Sequence, residues 1–445
     1  MPDKPTTKPT TATTRTTAKN GNNDPATTAG HALTRRRLLT TAGATGAAGV
    51  AAGAAGGALT ASAASSGGSG GTADGASSGP ALSTLGSTEV AFHGRHQPGI
   101  TDPLQAHGHL AAFDLVPGAG RRQAAALLRR WSDAARALMA GRAPDGGHLG
   151  VALDAGPSSL TVTFGFGRGF FDATGLADQR PEALAPLPEF SSDALDPARS
   201  DGDLWVQIGA NDGLVAFHAL RTLQREADGA AALRWQMTGF SRSPGATARP
   251  MTTRNLMGQV DGTNNPSPGD EDFDRLIFAS GDPAWMAGGS YAVFRRIRML
   301  LDDWESRPLA DQERVIGRRK EDGAPLSGGG ETTPVDLEAV REDGTLVVPA
   351  TAHVRVAAPS QNGGATMLRR SFSYHDGFRD DGAPDAGLLF VCWQADPRRA
   401  FVPVQRKLDR GDALSEFIRH EASGVFAVPP GAAEGEYVGQ ALLEG

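Results

Sequence analysis

Residues able to act on a bound metal or oxidant fall close together in the stretch Thr351–Asp376, TAHVRVAAPSQNGGATMLRRSFSYHD. His353 offers an imidazole, which in its neutral form ligates a metal or haem iron. Arg369 and Arg370 offer guanidinium groups, charged at any working pH and suited to an oxygen that gains negative charge. A second candidate is Gly258-Gln259-Val260-Asp261-Gly262-Thr263-Asn264-Asn265-Pro266. Its glycines let a backbone approach a flat ligand closely, and Asp261 supplies a carboxylate for proton transfer. Both stretches also have a plainer reading. The first holds a buried structural histidine and surface arginines, and the second is a turn built on Asp-Gly and Asn-Pro.

The elements that position these groups follow from periodicity. Val354, Val356 and Ala358 alternate with His353, Arg355 and Ala357, which predicts a strand; residues 359–364 read as a turn and 367–374 as a second strand. Alternation along that second strand sends Arg369 and Arg370 to opposite faces. Upstream, strands are predicted at 109–116, 160–166, 204–210 and 233–239. Helices are predicted at 121–140, with Ala124, Leu127, Leu128, Trp131, Ala135 and Leu138 on one face, and at 214–226. The order strand, helix, strand, strand, helix, strand then recurs: 291–299, a helical stretch over 300–316, strands at 366–374 and 387–394, a helix over 412–420 and a strand at 425–428. Two βαββαβ units predict an α+β protein of two ferredoxin-like halves with antiparallel sheets. A Gly-, Glu- and Pro-rich excursion, 317–350, precedes His353, and loops of that length are functional or disordered.

The first 63 residues carry a different message. Residues 1–33 are rich in Thr, Pro and Asn and too poor in apolar side chains to build a core. Thr34-Arg35-Arg36-Arg37-Leu38-Leu39, then an uncharged Ala/Gly run and Leu59-Thr60-Ala61-Ser62-Ala63, have the layout of a twin-arginine export signal, with a Ser/Gly linker beyond it. The run is too Gly-rich for a membrane span, so none is expected after cleavage. The signal holds 7 of the 43 Lys and Arg and 2 of the 50 Asp and Glu, leaving 36 basic against 48 acidic side chains, a net charge of -12. An acidic mature chain argues against nucleic acid or an anionic membrane as partner.

Other chemistries find little support. The single Cys392 lies in an apolar strand and reads as a buried, inert thiol. His93, His96, His107, His109, His148, His218 and His420 show no zinc-type spacing; His420 reads as a cation near a helix end, and His375, before Asp376-Gly377, as a turn residue. The glycines at 327–330 lack the Lys-Ser/Thr of a phosphate loop. Arg318, Arg319 and Lys320 read as a solvated charge run, with pairing to cofactor carboxylates as the alternative.

Taken together, GxxDG at 258–262, AHVR around His353, LRR at 368–370 and Phe92-His93-Gly94-Arg95-His96-Gln97-Pro98-Gly99-Ile100 resemble the dye-decolourising peroxidases, over about residues 90–431. The resemblance implies a haem b peroxidase, one iron per chain, reducing hydrogen peroxide and oxidising bulky donors such as dyes and phenolics. It implies His353 as proximal iron ligand, Asp261 as distal acid-base, Arg369 as distal arginine and Asp412 as the carboxylate behind His353, where a helix N-cap is the plainer role. Gly258, Gly262 and Thr263 would line the cofactor. Ser371 stands where some members of the family carry a distal Asn. The implied organisation is a signal over 1–63, a linker over 64–88, an N-terminal half over 89–255 and a haem-binding half over 256–445, with a homo-oligomer left open. Exported members of the family also include haem-handling proteins that release iron, which is the alternative function. Tyr374 and Trp393, on strands beside Arg369, are candidates for carrying oxidising equivalents to donors too large for the pocket.

Overall fold

The computed structural model describes residues 83–144, 150–247 and 251–445, so the segment read from the sequence as an export signal, and most of the linker expected after it, fall outside the described residues. The linker's last residues are not extended. Thr84–Ser87 forms one helical turn, with Ser83 Oγ accepting the Gly86 N–H at 3.3 Å.

Among the described residues nine strands follow: β1 His107–Leu115, β2 Thr161–Phe166, β3 Leu204–Ala210, β4 Ala231–Phe240, β5 Ser290–Met299, β6 Leu368–Arg369, β7 Phe372–Phe378, β8 Pro384–Gln394 and β9 Ile418–Val428. All their pairings are antiparallel. The N-terminal half runs in the order β4-β1-β3-β2 and the C-terminal half β7-β8-β5-β9, the same ferredoxin-like order twice. Single pairs at both edges, Phe166↔Ala427 and Phe240↔Ser373, join the two sheets into a closed ring. Between them lies a core that draws Leu110, Trp205 and Met237 from one half and Phe294, Val391 and Phe426 from the other. The outer face of the first sheet is covered by helices Arg121–Met139 and Gly213–Glu226. The stripe read from the sequence is the buried one, and Trp131 Nε1 donates to Leu223 O at 2.9 Å, tying the two helices together.

Four local expectations in the C-terminal half are corrected. His353–Val356 is one helical turn, not a strand. Its alternation spans too few residues to set a period, and the turn is fixed instead by contacts from outside, Arg355 donating to the carbonyls of Leu337 and Val348. The helix over 300–316 is two, Leu301–Glu305 and Leu309–Ile316, interrupted at Pro308, which has no N–H to continue the first. The strand over 366–374 breaks into β6 and β7 at Arg370 and Ser371. Finally, 412–420 is a short 3₁₀ turn, Ala413–Phe417, that leads into a long β9, and the helix of this unit is Phe401–Gly411. Pro403 falls in the first turn of that helix, where a missing N–H costs nothing.

Candidate active site

The sequence brings His353 and Asp412 together from two turns 59 residues apart. His353 Nδ1–H donates to Asp412 Oδ2 at 2.7 Å, while Asp412 Oδ1 accepts the Leu414 N–H at 2.9 Å and so caps the 3₁₀ turn. One carboxylate therefore fills both roles considered for it, and the hydrogen bond fixes the tautomer of the ring. With Nδ1 committed, Nε2 is the nitrogen left for a metal. Burial works against a charged imidazole here, but the Asp412 carboxylate outweighs it by charge and hydrogen bonding and leaves the His353 pKa raised.

Asp261 and Arg369 form the second pair. Asp261 Oδ1 accepts from Arg369 Nη1 at 2.8 Å, and Asp261 Oδ2 accepts from Asn255 Nδ2 at 3.2 Å. The loop around Asp261 needs its glycine at 262, whose φ of 125° is closed to other residues. Gly258 plays a different part from the one expected. It is absent from the cavity lining; its carbonyl accepts from Arg254 Nη1 at 2.8 Å, and a Cβ there would meet the Lys320 side chain at 2.6 Å. Thr263 lines the cavity and donates to Glu331 Oε1 at 3.0 Å, linking the loop to the 317–350 excursion.

Sequence reasoning missed two asparagines, Asn255 and Asn265. The Asn265 side chain clasps the backbone of Arg369, donating to its carbonyl at 2.7 Å and accepting its N–H at 3.2 Å. Both asparagines flank the glycine-rich loop, and their spacing around Asp261 was the available signal. Ser371 Oγ accepts the Val391 N–H at 3.3 Å, so the side-chain amide beside Asp261 is that of Asn255.

Arg370 turns away from this site. It is buried against the carbonyls of Asp102 and Pro103, each at 3.1 Å, and the Gln105 side chain, and burial pushes its pKa down to about 10. His375 is exposed on β7. His420, read as a cation at a helix end, is instead buried on β9 and held neutral, its pKa pushed down to about 3 by burial and by Arg295. Tyr374 and Trp393 are buried between the sheets and neither lines the cavity, so neither provides a surface terminus.

His353, Asp412, Asp261, Gly262, Thr263 and Arg369 all border one cavity of about 530 Å³ built entirely from residues 255–420. Its remaining wall is largely apolar, with Ile297, Met299, Ile316, Met367, Leu388, Phe390 and Leu408. The size falls within the roughly 300–1,000 Å³ of cofactor sites. Among the described residues no three His, Cys, Asp or Glu side chains gather to hold a metal ion. A metal bound by His353 therefore needs most of its ligands from a macrocycle, and a largely apolar slot bordered by an imidazole whose Nδ1 is already committed suits a haem. No helix among the described residues is long and apolar enough to cross a membrane.

Known proteins match the chain over both its N-terminal and its C-terminal parts. Residues 97–241 match the family model of the Dyp-type peroxidase N-terminal region and residues 252–433 that of the C-terminal region. The chain is 48% identical over 361 residues to a dye-decolorizing peroxidase of Thermobifida fusca, covering 78% of this chain and 84% of that one. It is 35% identical over 371 residues to a deferrochelatase of Escherichia coli K12, covering 79% and 86%. Among solved structures, ferric DtpA from Streptomyces lividans superposes with a TM-score of 0.81 at 71% identity, covering 82% of this chain and all of that one.

Proposed function

The chain belongs to the Dyp-type peroxidase family and is a haem peroxidase, and from that premise we propose that it binds one haem b through His353 and uses Asp261 and Arg369 on hydrogen peroxide. The observation that carries this reading is the meeting of the His353–Asp412 pair and the Asp261–Arg369 pair on one largely apolar cavity. The haem, when bound, supplies the redox chemistry by which peroxide is reduced and donors are oxidised.

The protein supplies placement and protons. Asp412 holds a proton on His353 Nδ1, which keeps Nε2 a strong donor and fixes the plane of the ring. Asp261 accepts the proton of a peroxide O–H and passes it to the second oxygen, so that oxygen departs as water. Arg369 aligns Asp261 through their 2.8 Å contact and offers its remaining N–H groups to the oxygen that gains negative charge. Asn255 and Asn265 hold the carboxylate and the arginine backbone in register, so neither group reorganises during turnover.

Donors in this reading are dyes and phenolics, in keeping with the Thermobifida relative. Export by the twin-arginine route is part of the same proposal and rests on residues 34–63 alone. An absorption spectrum tests the whole reading. The purified protein should show a Soret band that changes on one equivalent of hydrogen peroxide and returns on adding a reducing dye; a protein expressed with ample haem and lacking that band contradicts it.

A further inference from the structure

The pairs at His353 and Asp261 make no use of the 317–350 excursion, yet part of it walls the cavity. Thr332, Thr333, Pro334, Val335 and Leu337 all border it. Thr332, Thr333 and Pro334 are also exposed, so this wall is one residue thick between the cavity and water. Packing does not hold it in place, because none of residues 327–337 joins a hydrophobic cluster. Among the described residues, every hydrogen bond made by 332–336 returns to the loop itself, within 327–339.

Polar contacts fasten its two ends. The far end is tied to the turn that carries His353, where Arg355 Nη2 donates to Leu337 O. The near end is tied through one residue, Glu331. Its Oε1 accepts from Thr263 Oγ1 at 3.0 Å, in the loop that carries Asp261, and its carbonyl accepts from Arg318 Nη1 at 2.8 Å. Just before it stand Gly328 and Gly329, at φ of 106° and 90°, where the absence of a side chain leaves the backbone free to rotate. Arg319 Nη2 holds the Gly329 carbonyl at 3.2 Å and so roots the joint. A segment with few apolar contacts and exposed hydrogen bonds opens at low cost.

We propose that residues 331–337 are a strap that retains the cofactor, and that the Thr263–Glu331 hydrogen bond is its latch. The proposal rests on the haem reading above. Closed, the strap joins the loop of Asp261 to the turn of His353 along one wall of the cavity. Open, it turns on Gly328 and Gly329 and gives a flat, rigid macrocycle a way in and out. Glu331 does not itself border the cavity. It acts through Thr263 and sets how long the cofactor stays.

The test mixes haem-loaded protein with excess apomyoglobin, which traps released haem, and follows the transfer at the Soret band. Glu331→Ala should lose haem about tenfold faster than native protein, the scale of one hydrogen bond to a carboxylate. Glu331→Gln, whose amide oxygen still accepts from Thr263, should stay within about threefold of native. Thr263→Val removes the same bond from the other side, and combining it with Glu331→Ala should speed the loss no further. Amide hydrogen exchange over 330–337 should rise in both single variants. Equal release from native, Glu331→Ala and Thr263→Val proteins overturns the latch while leaving the haem reading intact. Equal acceleration in Glu331→Ala and Glu331→Gln does the same, since the charge and not the hydrogen bond is then at work. If Glu331→Ala keeps its haem like native protein but changes KM for a bulky dye, the segment is a donor gate and the proposal is wrong. Purified native protein that carries no haem overturns the haem reading, and the strap with it.

Discussion

Arg369 Nη1 donates to Asp261 Oδ1 at 2.8 Å across 108 residues of sequence, so the carboxylate proposed as proton acceptor and the cation beside it are one unit. Their substitutions should therefore not add. Asp261→Asn and Arg369→Leu are each expected to slow the reaction of haem-loaded protein with peroxide by about 10²-fold or more, with the double variant close to the worse single one. Stopped-flow mixing measures this, and a fully additive loss would show the two acting separately.

For the haem-free protein, His353 carries a stability linkage whose sign is fixed by its raised pKa. The contribution is fully present below the ordinary histidine value of about 6.5 and is lost as pH rises through the folded value. Asp412→Asn removes the charge that raises it, so the Tm difference between native and variant protein should be largest in mild acid and shrink toward alkaline pH. Buried His420 works in the opposite sense in both proteins and cancels in that difference. A Tm difference that does not vary between acid and alkaline pH would rule out this coupling.

Arg370 should separate from its neighbour. Arg370→Met empties a buried guanidinium position and unpairs Gln105 and two carbonyls, at a cost of about 1–3 kcal/mol in stability. Its rate with peroxide per bound haem should stay near native, whereas Arg369→Leu loses rate with little change in Tm. Thermal melts beside single-turnover rates distinguish the two.

How much of this was legible in the sequence depended on the length of each pattern. The helix at 121–139 and the strands of both sheets carry periods long enough to read, and their repeated order gave the double ferredoxin-like fold. The assignment of Arg369 and Arg370 to opposite sides followed from alternation, and the structure sends them to Asp261 and to Gln105 respectively. Short elements set by distant partners were not legible. The turn at His353 is held by backbone carbonyls of 337 and 348, and Asn265 meets Arg369 only once loops far apart in sequence come together. Gly258 was read as a ligand contact because its conformation and its location look the same in sequence; a positive φ of 78° explains it without a ligand.

Large donors are expected to react without Tyr374 or Trp393. Tyr374 lies under Arg296, 4.0 Å from its ring centroid, and Trp393 packs near Trp205 at 5.9 Å, both within the inter-sheet core. The double variant Tyr374→Phe, Trp393→Phe should turn over a bulky anthraquinone dye and a small phenol in the native ratio. A selective loss of dye turnover with unchanged haem content would restore them as a route outward.

The most direct measurement is the haem content of two purified variants, His353→Ala and His375→Ala, from the ratio of Soret to protein absorbance. Removal of His353 takes away the single imidazole positioned by Asp412 on the cavity, so that variant should be nearly free of haem, while His375→Ala, altered at an exposed position on β7, should match native protein. Full haem in His353→Ala together with loss in His375→Ala would contradict the assignment of the cavity and of its iron ligand.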